Sequence, residues 1–184
     1  MTGIFEMRRI ALRRSTLIFL ACGIAFAIVY LVFLAYQDRR AAAYLEGLRH
    51  TDPDGYLEQI RMLDGFSRYA IEFGKLKKFD QFRPAAPAFM VGRWTLRDKP
   101  ERIPVGTSPN CSDPITFEYG RMEVTRDGIS LPSEFRLAGQ LLEVRPRQGD
   151  PITVKLVSFG AAIDHLELIP PERDHLFYAY PCGM

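Results

Sequence analysis

The chain has 184 residues, and its 24 Lys and Arg residues exceed its 22 Asp and Glu residues by only two charges at pH 7. So small an excess of positive charge argues against a nucleic-acid-binding protein, because affinity for nucleic acid depends on a concentrated basic surface. The length allows one ordinary folded domain besides a membrane segment. No nucleic acid is expected among the partners.

The N-terminal part of the chain predicts one membrane-spanning helix. An uninterrupted apolar run covers residues 15–36 and follows a basic leader over residues 1–14. At about 1.5 Å of rise per residue, the run reaches roughly 33 Å, enough to cross a hydrocarbon core of about 30 Å. A cleaved signal peptide is the alternative, but its apolar core is shorter and ends in a small-x-small site. We therefore predict an uncleaved transmembrane helix over residues 15–37.

Small side chains mark one side of this helix. Gly23 and Ala27 are four residues apart and share a face, on which another transmembrane helix can pack closely. We therefore predict that other transmembrane subunits contact these two residues. Cys22 is interpreted as an apolar side chain in lipid and not as a lipoprotein modification site, because the apolar run continues beyond it.

The next stretch, residues 38–83, predicts a helical stalk. The first helix should end by His50, and Pro53 stands at the first position of a second helix, which Gly65 ends. A third stripe of apolar residues at helical spacing continues to Gly74. A proline-rich segment then breaks the helical pattern, so we place the domain boundary at the end of the stalk.

From residue 84 to residue 184, the hydrophobic period changes to two, as in half-buried strands. Turn signals that contain glycine separate the alternating segments. The predicted strands cover residues 89–96, 115–119, 122–124, 141–144, 152–156, 163–169 and 176–180. Seven or eight short strands with polar outer faces predict a mostly antiparallel β domain, either a small barrel or a sandwich.

Two cysteines, Cys111 and Cys182, lie in this β domain. An even pair in a small domain favours a disulfide and an oxidising compartment, with two reduced thiols in the cytoplasm as the alternative. The four arginines of the leader weakly favour a cytoplasmic N-terminus, and the 19 arginines against 5 lysines suggest a bacterial source. We predict a bacterial inner-membrane protein with a periplasmic β domain; the mitochondrial inner membrane is the alternative.

Two Asp-His pairs, Asp164-His165 and Asp174-His175, are the candidate metal ligands. Two histidines and two carboxylates can coordinate a metal if their strands are neighbours, but side chains of this kind beside turns are more often solvated. The chain contains no nucleophile elbow, phosphate-binding glycine loop or dinucleotide fingerprint. We therefore predict no catalytic residue and no cofactor, and an enzyme is the less favoured class.

The first predicted strand contains Gly92-Arg93-Trp94. A Gly-x-Trp here, with one cysteine downstream and another near the C-terminus, resembles the opening of lipocalin-type barrels. The resemblance covers three residues and a pattern of strands, and the segment is short for a full lipocalin barrel. It implies that Trp94 closes the barrel floor and that the cavity takes an apolar ligand. The alternative is that Trp94 is a core residue of an unrelated β domain.

Taken together, these features predict a single-pass, membrane-anchored accessory or assembly subunit of a larger membrane complex, which acts by protein binding. The first alternative is a tethered lipocalin-like module that binds a small apolar ligand. The second is a metal-assisted hydrolase that uses the two Asp-His pairs.

Overall fold

The structure is a computed structural model of the chain, and it describes residues 3–103, 109–125, 128–170 and 175–183. The chain divides into two compact units, Met1–Asp52 and Pro53–Met184. The predicted fold class is confirmed, because a long apolar N-terminal helix and short helices precede an antiparallel β domain.

The first unit contains helix α1 (Gly3–Thr51). Over Thr16–Thr51 this helix is long and apolar enough to cross a membrane, by length and composition. All side chains from Thr16 to Tyr44 are exposed, and a bilayer would remove the apolar ones from water. The helix ends one residue beyond the predicted limit, and the Thr51 hydroxyl donates to the Gly47 carbonyl oxygen at 3.0 Å.

In the described part of the second unit, eight antiparallel strands form a closed barrel in sequence order. They are β1 (Gly92–Arg97), β2 (Pro114–Glu118), β3 (Arg121–Val124), β4 (Ile129–Ala138), β5 (Leu141–Pro146), β6 (Ile152–Phe159), β7 (Ala162–Ile169) and β8 (Phe177–Pro181). Each strand pairs with the next, and β8 closes the barrel on β1. The domain is therefore an up-and-down barrel and not a sandwich.

The sequence prediction omitted β4, which contains Pro132 and so has no backbone donor at that position. This strand pairs with β3 over its first part and with β5 over the rest. Where β3 has ended, the segment that follows the short helices lies beside β4 in place of a strand. The Phe135 N–H donates to the Arg83 carbonyl oxygen, and the Leu137 N–H donates to the Phe79 carbonyl oxygen, both at 2.7 Å. A segment without strand periodicity thus accepts the hydrogen bonds of β4 beyond the end of β3.

Two short helices, α2 (Pro53–Asp64) and α3 (Phe66–Leu76), precede the barrel. Pro53 opens α2 as predicted, since proline is tolerated at the first turn. In contrast, α3 continues through Gly74, where a Cβ would lie 3.4 Å from Cδ2 of Leu137. This glycine therefore allows close packing of α3 on β4 and does not end the helix.

Both short helices belong to the same compact unit as the barrel. The Phe66 N–H donates to the Gly160 carbonyl oxygen at 2.8 Å, and the Arg61 guanidinium donates to the Ala161 carbonyl oxygen at 2.8 Å. We call this end of the barrel, with the β2–β3, β4–β5 and β6–β7 turns, the base, and the opposite end the mouth. The expected stalk, residues 38–83, is thus divided between α1 and the barrel unit.

Alternate side chains of the strands fill the middle of the barrel. Phe117 and Phe135 are fully buried, and their rings meet edge to face with centroids 6.4 Å apart. Other side chains with at most 1% exposure in this layer are Leu142, Val144, Val154, Leu156 and Leu166. The middle of the barrel is therefore a packed core.

The predicted disulfide between Cys111 and Cys182 is present. Around it, the Cys182 N–H donates to the Arg93 carbonyl oxygen at 2.9 Å, and the Thr95 hydroxyl donates to the Asn110 carbonyl oxygen at 2.8 Å. Asn110 and Cys111, near the end of the β1–β2 connection, are thus held against β1 and the C-terminal end of the chain.

Candidate ligand pocket at the barrel mouth

A cavity of about 500 Å³ opens at the mouth of the barrel. Seven of the eight strands, all except β5, contribute side chains to it. The described lining consists of Leu96, Asp98, Ile115, Met122, Val124, Ile129, Ile152, Leu168, Pro170 and Phe177. Except for Asp98, these residues are apolar, so the cavity offers a hydrophobic surface that closed strand pairing holds in place.

The strand register explains why these side chains converge. Val124 pairs with Ile115 on β2 and with Ile129 on β4, so all three project to the inner face. Ile115 and Leu168 are buried and form the floor, whereas Ile129 is 42% exposed at the rim. The inner face thus remains apolar up to the open end of the barrel.

One charged side chain, Asp98, lies at the rim of this cavity. Arg97 pairs with Tyr178 on β8, so the next residue, Asp98, lies beside Phe177, which also lines the cavity. Among the residues that the structure describes, none forms an ion pair or hydrogen bond with the Asp98 carboxylate. Within the described part of the chain, the rim therefore combines a negative charge that has no basic partner with an aromatic ring.

A second concavity, of about 610 Å³, lies between α2, α3 and the segment that follows α3. Across it, Lys77 Nζ forms an ion pair with Asp54 Oδ1 at 2.6 Å. Burial raises the pKa of the Tyr69 hydroxyl in its wall, and the nearby Arg61 guanidinium opposes this increase. Glu58, which also lines this concavity, pairs with Arg61 at 3.7 Å, and the Arg83 guanidinium donates to the Lys77 carbonyl oxygen. Acidic and basic side chains are thus mixed here, whereas Asp98 is the one charged residue in the described lining of the mouth cavity.

Among the described residues, no group of three or more His, Cys, Asp or Glu side chains is arranged so that it could hold a metal ion. His165 projects from the outer face of β7, where its Nδ1 lies 2.7 Å from Asp164 Oδ2 and its Nε2 lies 3.8 Å from Glu167 Oε1. His175 packs against the Phe177 ring, and Asp174 lies outside the described residues. Nothing in this geometry favours the hydrolase.

Trp94 is buried, with 5% of its surface exposed. Its indole N–H donates to the Met90 carbonyl oxygen at 2.9 Å, beside the start of β1 at the base. A structural role at the barrel floor agrees with both interpretations made from the sequence. The two predicted packing residues of α1, Gly23 and Ala27, are exposed. Apart from its chain neighbours and the backbone of its own helix, no described atom lies within 4 Å of a Cβ built on Gly23.

Sequence reasoning placed most of the lining residues in strands but did not identify the pocket. The available signal was that the last inward residue of several strands is apolar and not polar, as at Leu96, Val124 and Leu168. Nothing in the sequence around Asp98 indicates a binding residue, because a polar residue commonly follows a strand. Comparison of the chain with known protein families, with curated protein sequences and with solved structures yields no match.

Proposed function

We propose that this protein is a membrane-anchored binding protein whose barrel mouth holds the apolar part of a small ligand. The observation that carries the proposal is the mouth cavity, with a volume of about 500 Å³ and nine apolar residues among the ten described in its lining. Ligand pockets are typically of this size and are lined mostly by apolar side chains with a few polar groups. From the sequence alone this function is the first alternative to an accessory subunit, and the cavity is the reason to place it first.

In this proposal, the N-terminal helix anchors the binding protein to a membrane. An apolar ligand partitions into a bilayer, and a tether keeps the pocket close to that reservoir. The disulfide supports an oxidising compartment, which agrees with a periplasmic barrel on a bacterial inner membrane. The mitochondrial inner membrane is the alternative location.

Binding is tested with the full-length protein in nanodiscs of an uncharged galactolipid and with the neutral probe N-phenyl-1-naphthylamine. The protein contains one tryptophan, Trp94, and it lies inside the barrel. Saturable energy transfer from Trp94 to the probe therefore reports binding in the barrel, in contrast to probe that dissolves in lipid. An absence of saturable transfer would refute the proposed function.

A pair of matched variants locates the binding site. Ile152→Glu places a carboxylate in the cavity, whereas Ile169→Glu places the same charge on the outer face of the neighbouring strand. We expect Ile152→Glu to weaken probe binding at least about tenfold, because an apolar ligand would then have to desolvate a charge. Ile169→Glu should leave the affinity unchanged. Equal affinities of the two variants would place the probe outside the mouth.

The second candidate function is the accessory or assembly subunit. It is favoured by large apolar side chains exposed around the base, where Met62 and Leu63 are each 67% exposed and Phe159 is 85% exposed. They flank the hydrogen bonds that join the two short helices to the β6–β7 turn. Apolar side chains exposed near one another are a common feature of surfaces that contact other proteins.

Variants of the anchor test the accessory role. Gly23→Leu or Ala27→Leu should reduce co-purification of other membrane proteins at equal expression, because close helix packing needs small side chains, while leucine leaves membrane insertion intact. His165→Ala and His175→Ala serve as controls and should retain all partners. If the leucine variants retain every partner, this second candidate function fails.

A further inference from the structure

The mouth cavity has a second property, which is its charge. Five other carboxylates of the barrel unit are paired with basic side chains, in the pairs Glu101–Arg97, Glu118–Arg121, Glu134–Arg145, Glu143–Arg136 and Glu167–Lys155. In the described part of the chain, Asp98 has no such partner although it lines the cavity. Its charge is therefore available to a ligand.

The ring of Phe177 adds a second attraction for positive charge. The pairing of Arg97 with Tyr178 places Asp98 next to Phe177, and both residues line the cavity. The face of an aromatic ring attracts ammonium groups, and the attraction is greatest where water is excluded. Asp98 is exposed at the rim, so solvent partly screens its charge, but the carboxylate still attracts a cation and repels an anion at the entrance of the cavity.

We propose that the mouth cavity selects organic cations with an apolar tail, the ammonium group lying between Asp98 and Phe177 and the tail lying on the apolar floor. This inference rests on the ligand-binding function proposed above and names the class of ligand. The apolar floor supplies most of the affinity, and the two rim residues supply the preference for positive charge.

The test is displacement of bound N-phenyl-1-naphthylamine by three amphiphiles with the same tail: decyltrimethylammonium, decanol and decyl sulfate. With the wild-type protein, we expect the cation to displace the probe at a concentration at least about tenfold lower than decyl sulfate. Asp98→Asn keeps the shape of the side chain and should abolish most of this difference. Phe177→Leu should reduce it while retaining an apolar wall.

Asp113→Asn is the matched control, because Asp113 is an exposed carboxylate just before β2 that is not part of the described lining. Comparison between variants also cancels the unequal partitioning of the three amphiphiles into lipid. Equal displacement by all three in the wild type would overturn the selectivity while leaving the ligand-binding function intact. If Asp98→Asn weakened the binding of the neutral probe itself, Asp98 would maintain the pocket and the inference would fail.

Discussion

At the scale of single residues, Gly65 is restricted both by its backbone conformation and by its surroundings. It joins α2 to α3 with a φ of +84°, and a Cβ at this position would lie 2.9 Å from the Gly160 carbonyl oxygen. That carbonyl also accepts the hydrogen bond from Phe66 N–H, so it cannot move away without loss of this bond. Gly65 is thus required by both its backbone conformation and its surroundings.

We predict that Gly65→Ala lowers the free energy of unfolding by about 3 kcal/mol, from strain at positive φ together with the steric clash. Gly149→Ala is the control, because Gly149 has a φ of +98° but open space around it, and it should lose only about 1 kcal/mol. Urea unfolding of the full-length protein in a mild detergent, followed by Trp94 fluorescence, measures both values. Equal losses would contradict the clash with Gly160.

At the scale of elements, the disulfide joins the β1–β2 connection to the residue after β8. Cys111 and Cys182 are separated by 71 positions in the sequence. A crosslink over such a loop restricts the unfolded chain and is expected to contribute about 4 kcal/mol to the free energy of unfolding.

We therefore predict that the double variant Cys111→Ser, Cys182→Ser unfolds at a markedly lower urea concentration than the wild type. Cys22→Ser is the control and should leave the barrel unchanged, because Cys22 is a free, exposed residue of α1. In unfolded but unreduced wild-type protein, a thiol reagent should label Cys22 alone. Labelling of all three cysteines would refute the bond.

At the scale of the whole molecule, the disulfide and the basic leader lead to one predicted orientation, with the leader in the cytoplasm and the barrel exported. Fusions of alkaline phosphatase and of green fluorescent protein to the C-terminus in a bacterial host test it. We expect the phosphatase fusion to be active and the fluorescent fusion to be dark, because the phosphatase needs an oxidising compartment to fold. A fluorescent C-terminus with inactive phosphatase would reverse the orientation.

Local chemistry determined the helices, most of the strands and the disulfide partners. These features depend on residues that are close together in the sequence, so they can be predicted without knowledge of the fold. They are the apolar run of α1, the proline at the start of α2 and the alternation of apolar and polar residues in β2 and β6. The two cysteines of the β domain left only one pairing within it. This much of the architecture followed from the sequence by itself.

Long-range pairing decided the rest. The tertiary structure determined that β4 forms despite Pro132, because its neighbours include the segment around Arg83 as well as β3. It also determined that Gly74 lies inside a helix, because Leu137 packs against it. Closure of β8 on β1 produced a barrel, and packing of two helices at its base left the mouth to form the candidate site. The juxtaposition of Asp98 and Phe177 depends on contacts between residues far apart in the sequence, which local patterns cannot encode.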